Sequence, residues 1–291
     1  MLTVIIPAYN AENVISEQLE ALKAQCYEGD WEIIVVNNGS TDNTVDIVAG
    51  YQQTMPNLKL AHALGKQSKG YATNRGVQNA CGDAFVFCDA DDVAAPNWIK
   101  AMAEALQTHD VVAGALEDRV LNQYSVWRPP QTENQIQKSL KKNHLDFLPF
   151  ALGCNLAISR DAFESVGGFV ECENFVCEDV DLSWRLQIQG YTIHYAPEAI
   201  MHYRFRTTYK AYWRQIAAYA ACAPLLYKRF ASYGMPEPSV NEALDRYIWV
   251  IKKFPRALVT KRKKVRSRWV FKAAASWGRI QGSIRHKVFY I

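Results

Sequence analysis

The chain has 291 residues, 49% of them hydrophobic and 21% charged, with a formal net charge of +4. This is the composition of a globular protein with ample core, in one large α/β domain or two small ones, and it excludes an intrinsically disordered chain. The charge is unevenly spread: residues 252–291 hold 13 Lys+Arg and no acid, so the first 251 residues carry 20 basic against 29 acidic groups, a net of −9.

Along the chain, Leu2–Ile6 is an apolar run ended by Pro7 and predicts a first strand. Val14, Leu19 and Leu22 recur at helical spacing within 11–24. Trp31–Val36 predicts a second strand, followed by the turn cluster Asn37-Asn38-Gly39-Ser40, and Thr41 or Asp42 can cap a helix running to about Tyr51. Leu58–Ala61 predicts a short strand, 68–80 a helix and Ala84–Cys88 a buried strand. This alternation implies βαβ units and a mostly parallel sheet. Ligands bind such sheets beyond the carboxyl ends of the strands, which marks Pro7–Asn10, Asn37–Asp42 and Asp89–Asp92.

A helix is expected after Pro96. Residues 116–150 are less regular; Pro129-Pro130 and the polar stretch Gln131–Asn143 read as a loop and a polar helix, a candidate flap. Cys154–Ser159 predicts a strand, Arg160–Val166 a helix closed by Gly167-Gly168, Asp179–Gln189 a helix ended by Gly190, and Tyr191–Tyr195 a strand. From about Thr208 the pattern is helical. Its longest apolar run, Ile216–Leu226, has 11 residues and contains Pro224, too short to span a bilayer. No basic segment precedes the opening apolar run, so no secretory leader is expected. The seven scattered cysteines are expected to be reduced, in a cytosolic setting. Cys154, Cys172 and Cys177 are too loosely spaced for a structural zinc site and read better as buried thiols.

The sharpest chemical feature is Phe87-Cys88-Asp89-Ala90-Asp91-Asp92. Residues two apart in an extended segment point the same way, so Asp89 and Asp91 can share a ligand. Clustered carboxylates of this kind suit a hard divalent cation; an acidic turn capping the next helix is the alternative. Lys66, Lys69 and Arg75 precede this strand and could meet a phosphate, with Arg75 the best placed; either lysine can equally be a solvated helix start.

Three segments, Val4-Ile5-Ile6-Pro7-Ala8-Tyr9-Asn10, Val35-Val36-Asn37-Asn38-Gly39-Ser40-Thr41-Asp42 and the acidic run at 87–92, occur in this order. Gly153-Cys154-Asn155, Gly167-Gly168-Phe169 and Glu178-Asp179-Val180-Asp181 follow. The ordered set resembles family 2 of the inverting glycosyltransferases over about residues 2–205. The resemblance implies a GT-A-like α/β fold, with a mostly parallel central sheet flanked by helices and a helical C-terminal extension. It implies a catalytic domain over 1–207, divided near residue 115 into a nucleotide-sugar half and an acceptor half, then an extension over 208–291.

The implied reaction moves a sugar from a nucleotide-diphosphate sugar to a glycan or lipid-linked acceptor hydroxyl, with Mn²⁺ or Mg²⁺ balancing the leaving diphosphate. Carried over residue by residue, Pro7, Ala8, Tyr9, Asn37, Asn38, Arg75, Asp89 and Ala90 would bind the donor. Asp91 and Asp89 would hold the metal, with His202 a candidate third ligand. Asp179 would be the base, with Asp181 as rival; acidic capping of the helix is the alternative for both. Arg204 or Arg206 could reach the diphosphate. Many relatives have Asp at one of positions 37 and 38, where this chain has Asn at both, so base selectivity is left open.

The tail run Lys261-Arg262-Lys263-Lys264-Val265-Arg266-Ser267-Arg268 is followed by Trp269, Val270, Phe271, Trp277 and Ile280. Such interleaving suits an anionic membrane surface, placing the protein at the inner face of the cell membrane; a helical appendage on the acidic body is the equal alternative. Nucleic acid is not the expected partner. Two other functions remain: a nucleotidyltransferase, against which the absence of a Gly-rich loop after the first strand argues, and a non-catalytic adaptor acting through the tail.

Overall fold

The apolar runs of the sequence form the middle of one sheet. The computed structural model describes residues 1–126, 140 and 147–290; of the expected polar loop and helix at 131–143, all but Leu140 lies outside the described residues. The chain divides into two units. The first, built from Met1–Val120 and Leu148–Arg204, contains the whole sheet.

Its strands are β1 (Leu2–Ala8), β2 (Trp31–Asn37), β3 (Leu58–His62), β4 (Ala84–Phe87), β5 (Val93–Ala94), β6 (Val111–Glu117), β7 (Leu156–Ser159) and β8 (Ile193–His202), in spatial order β3-β2-β1-β4-β7-β6-β8-β5. β3, β2, β1 and β4 run parallel, as do β6 and β8; β7 is antiparallel to both of its neighbours, and β5 to β8. The mostly parallel sheet expected from the sequence is thus present, with the antiparallel pairs at β4–β7, β7–β6 and β8–β5.

Strand alternation sorts two cores, one per face. Val4, Ile6, Ile33, Val35 and Val86 join Ile15, Leu19 and Leu22 of α1 (Ile15–Lys23) and Trp98, Ile99 and Met102 of α4 (Trp98–Leu106). Ile5, Ile34, Val36, Phe85 and Phe87 face the other way, onto Ala72 and Val77 of α3 (Lys69–Gln78), Phe163 of α5 (Arg160–Ser165) and Leu182 and Leu186 of α6 (Glu178–Ile188). Both faces being covered explains why the strands read as unbroken apolar runs. Phe87 meets Phe169 edge to face at 5.1 Å, seating the 167–169 turn beneath the acidic run. α2 (Thr44–Gln52) completes the flanking helices, with the Asp42 carboxylate accepting from Thr44 N at 3.1 Å.

Two elements differ from expectation. β6 lies between β7 and β8, yet its sequence Val-Val-Ala-Gly-Ala-Leu-Glu gave no strand signal because Gly114 interrupts it. A residue with a Cβ at 114 would collide with the Ala199 carbonyl and the Asn155 amide. β8 runs on to His202 rather than stopping at Tyr195, because the register slips at Gly114/Ala115 and Pro197–Ala199 bulge out there. The buried Asn155 amide bridges the Ala115 and Ala199 carbonyls, both at 2.9 Å, and accepts from Trp98 Nε1 at 2.7 Å, so the irregular ladder leaves these groups paired.

The second unit, formed mainly by Phe205–Ile291, is helical: α7 (Tyr209–Phe230), α8 (Val240–Val259) and α9 (Lys263–His286). Gly278 and Gly282 of α9 lie directly against the Ala217 and Ala221 backbone of α7, leaving no room for a Cβ at either position. No helix of the described residues is long and apolar enough to cross a membrane.

Candidate active site

The carboxyl ends of β1 and β2 are joined first. Ala8 is in register with Asn37, and Asn38 N donates to Ala8 O at 2.9 Å. Asn37 Oδ1 accepts from Ser40 N at 2.9 Å, and its amide nitrogen faces His62 Nδ1 at 3.3 Å. Asn38 gives both amide hydrogens to carbonyls, of Ala63 at 2.6 Å and Lys66 at 2.8 Å, and accepts from Ser68 N at 3.1 Å. Its donors are therefore spent on the loop leading to α3. Pro7 and Ala8 line the same edge, and the Tyr9 ring projects from it, 51% exposed.

Beyond β4 the acidic run meets two helix starts. Lys69, the first residue of α3, places its ammonium 2.5 Å from Asp89 Oδ1 and 3.7 Å from Glu178 Oε1, the first residue of α6. Burial opposes this charge, but Asp89 and Glu178 outweigh it and hold the ammonium well above its ordinary value. α3 is fixed by Asn74, whose amide donates to Phe169 O and Glu171 Oε1, both at 2.9 Å, and accepts from Phe169 N. Gly70 lies so close to the Val170 carbonyl that a Cβ would collide with it.

Burial pushes the Glu178 carboxyl up to about 7, against the pull of Lys69. Asp179 beside it accepts from Gly153 N at 2.9 Å and Val180 N at 2.8 Å, which fixes the carboxylate plane; burial raises its pKa too. Gly153 leaves space next to the Asp179 side chain. Asp181 is fully buried and accepts from Arg185 Nε at 2.7 Å, while Arg185 also donates to the Val166 and Gly168 carbonyls. Asp181 thus ties α6 to the 166–168 turn, away from Asp179.

Asp92 is buried. Its Oδ1 accepts from Arg204 N at 2.9 Å, and its Oδ2 has no hydrogen-bond partner. Burial, then Asp91 and Asp89, drive its carboxyl well above the ordinary range. Oxygens of Asp89 and Asp92 and the Cys154 sulfur lie within 4.8 Å of one another. Ala90 is buried between the acids, and the partly exposed Asp91 side chain lies outside that group.

His202 pairs its Nδ1 with Glu117 Oε2 at 2.8 Å and sits across from Val93 on β5. Arg204 spends its guanidinium on the Asp91 carbonyl and Glu17, at 2.8 Å each. Arg75 lies exposed in the last turn of α3, its guanidinium donating to Gln78 Oε1 at 2.7 Å and resting 5.1 Å from the Tyr71 ring centroid. The cation the fold places against the acids is Lys69; Arg75, expected to meet the donor's diphosphate, lies further along the same helix. A cation in the first turn of a helix opposes the macrodipole, and that was the available signal for Lys69.

A model described as glycosyl transferase family 2 matches residues 3–167, more than half of the chain. The chain belongs to that family. The uncharacterized glycosyltransferase alr2836 of Nostoc sp. is 31% identical over 173 residues, covering 57% of this chain and 52% of the relative. The probable glycosyltransferase YdaM of Bacillus subtilis is 30% identical over 240 residues, 75% of this chain and 54% of its own length. The chain therefore spans about half the length of these curated relatives.

Among solved structures, the mannosyltransferase PcManGT from Pyrobaculum calidifontis, in complex with GDP-Man and Mn²⁺, superposes with a TM-score of 0.63 over 97% of this chain and 86% of its own, at 20% identity. S. aureus TarS 1–349 in complex with UDP-GlcNAc gives 0.58 over 100% and 93%, at 18% identity. Family 2 membership and these superpositions make the architecture a GT-A fold.

A divalent cation fits the family 2 site on this structure's own terms. Asp89 and Glu178 meet the Lys69 ammonium, Asp92 and Asp179 lie near enough to interact with it, so the carboxyl groups outnumber the cation, and Asp92 Oδ2 and Glu178 Oε2 are buried acceptors without a hydrogen bond. The Cys154 thiol, pushed up by burial, then by Asp92 and Asp89, is a soft group that a hard ion does not prefer. What remains is a carboxylate set suited to a hard ion.

Proposed function

We propose that this family 2 protein transfers a sugar from a nucleotide-diphosphate sugar to an acceptor hydroxyl, with inversion at the anomeric carbon. The observation that carries the proposal is the meeting of Lys69, Asp89, Asp92, Glu178 and Asp179 at the carboxyl end of the sheet, with an orphaned carboxylate oxygen among them. PcManGT with GDP-Man and Mn²⁺ and TarS with UDP-GlcNAc support a donor of this class.

In this proposal the nucleoside lies along Pro7, Ala8, Tyr9 and Asn37, with Asn38 shaping the loop beside it. Asp89, Asp91 and Asp92 hold Mn²⁺ or Mg²⁺, with His202 at the margin of that set. When bound, the ion supplies Lewis-acid stabilisation of the charge that grows on the departing diphosphate. Lys69 holds the Asp89 carboxylate in place. Asp179 takes the acceptor's proton, since both of its oxygens are already oriented by backbone N–H groups and burial makes it a stronger base. Asp181 is set aside as the rival because Arg185 occupies it. The acceptor is a cell-surface glycan or glycolipid precursor, met by a cytoplasmic, peripheral enzyme whose basic tail touches an anionic membrane surface.

The test is incubation of the whole chain with nucleotide-diphosphate sugars and Mn²⁺, following nucleoside diphosphate release and the anomeric configuration of the product. Inversion is expected, with Asp179→Asn slowing transfer about 10²–10⁴-fold. A retained configuration, or an Asp179→Asn variant of full activity, overturns the assignment.

A further inference from the structure

The helical unit leaves one apolar face bare. Val240, Leu244, Ile248, Ile251, Leu258 and Val259 of α8 are all exposed, Ile251 by 73% and Val259 by 82%. At about 100° per residue these six fall within an arc of roughly 100° on one side of the helix. α9 covers the neighbouring arc. Trp269 Nε1 donates to Val250 O at 2.9 Å, its ring lies 5.3 Å from that of Phe254, and Tyr247 reaches Ser276 O at 3.4 Å. The bare stripe is therefore the half of α8's apolar surface that its own unit does not use.

Its surroundings are cationic. Lys252 and Arg256 follow on the next arc of α8, and Lys261-Arg262-Lys263-Lys264 continue from its C-terminus, all exposed. On the α9 side of α8, a cleft is lined by Lys253, Arg256, Lys264 and Arg268 together with Trp249 and Trp269. No acid occurs after Asp245.

We propose that this face docks on an anionic lipid bilayer, with the α8 stripe entering the acyl boundary and the flanking cations meeting lipid phosphates. An aliphatic stripe bordered by cations needs a partner with an apolar phase under an anionic surface. Nucleic acid supplies only the charge. A second copy would set two basic runs against each other. This moves the main lipid contact from the tail's own aromatics to α8: Val270 of α9 is core, Trp269 is turned onto α8, and Phe271 and Trp277, 45% and 49% exposed, stand about 120° apart on α9 and form no single stripe. It deepens the membrane contact of the proposed function and rests on it.

The test is co-sedimentation of the whole chain with phosphatidylglycerol/phosphatidylcholine vesicles and with pure phosphatidylcholine vesicles, with sugar-nucleotide cleavage followed in the same samples. Wild type is expected to partition at least tenfold better onto the anionic vesicles. Ile251→Asp with Leu258→Asp should lose tenfold or more. Lys261→Gln, Lys263→Gln and Lys264→Gln together should lose on the order of 100-fold. A dye on Ile251→Cys should shift to the blue on anionic vesicles, a readout that does not depend on the aspartate variants folding. Equal partitioning onto both vesicles overturns the membrane contact itself, and full binding by the stripe variant or an unshifted dye overturns the assignment to α8. A wild-type dimer that the stripe variant dissolves assigns the face to a second copy and overturns the proposal too. Cleavage intact with docking absent sinks the docking alone; docking intact with cleavage absent sinks the catalytic proposal alone.

Discussion

Lys69 serves Asp89 and Glu178, two carboxylates on different elements, and the other acids around it are left to find their own balance. Asp92 is the most exposed to this shortage, being buried with one oxygen unpaired. Asp92→Asn is therefore expected to stabilise the metal-free fold by about 1–3 kcal/mol in urea unfolding at pH 7 while weakening metal-dependent donor binding tenfold or more. A loss on both counts would mean that Asp92 serves the fold only. Glu178 gives a pH signature. Its folded value of about 7 lies above the 4.5 of an ordinary glutamate, so the folded protein holds this proton more tightly than the unfolded chain. That stability is complete below about pH 4.5 and is lost as pH rises through about 7. Glu178→Gln should match wild type near pH 5 and exceed it by up to roughly 3 kcal/mol at pH 8.5, as unfolding curves would show; parallel curves would contradict it. Of these residues, the sequence marks Asp89, Asp91 and Asp179 through motif and position. It marks Lys69 only by its unfavourable place in the first turn of a helix, and a lysine there looks the same whether it points to solvent or to carboxylates beyond the next strand and on α6.

At the scale of elements, the strands that carry the site were legible because both of their faces are buried. β1, β2 and β4 are unbroken apolar runs bounded by turn residues, and their ends fall where the ligand-binding rule places them. β6 was not legible, since Gly114 and the bulge opposite it are required by Asn155 and Ala199, residues remote in sequence. The helical unit was legible as helix, but the division of labour within it was not. Charge drew attention to α9, whereas the continuous exposed apolar stripe is on α8, and α9 spends its small residues and Trp269 on packing against α7 and α8. Gly278 and Gly282 hold α9 against α7 backbone, so Gly282→Val should cost about 1–3 kcal/mol or more in urea unfolding. No change in the transition would show that this close approach does not matter.

For the whole molecule, the charge split of the sequence now has two structural counterparts. The acidic body gathers Asp89, Asp92, Glu178 and Asp179 into one site in the sheet unit, and the basic tail borders an apolar helix face in the helical unit. The first is the proposed place of chemistry and the second of attachment, and the central claim concerns the first: an excess of carboxylates that a divalent cation and a nucleotide-diphosphate sugar together satisfy. A ligand bound only by the folded state raises its unfolding temperature by mass action. The direct measurement is a thermal-shift series with nucleotide-diphosphate sugars, with Mn²⁺, with Mg²⁺ and with chelator. The account predicts that at least one donor raises the unfolding temperature by several degrees with a divalent ion, that chelator abolishes the rise, and that Asp92→Asn blunts it. No response to any nucleotide-diphosphate sugar, or a response indifferent to the ion, would contradict it.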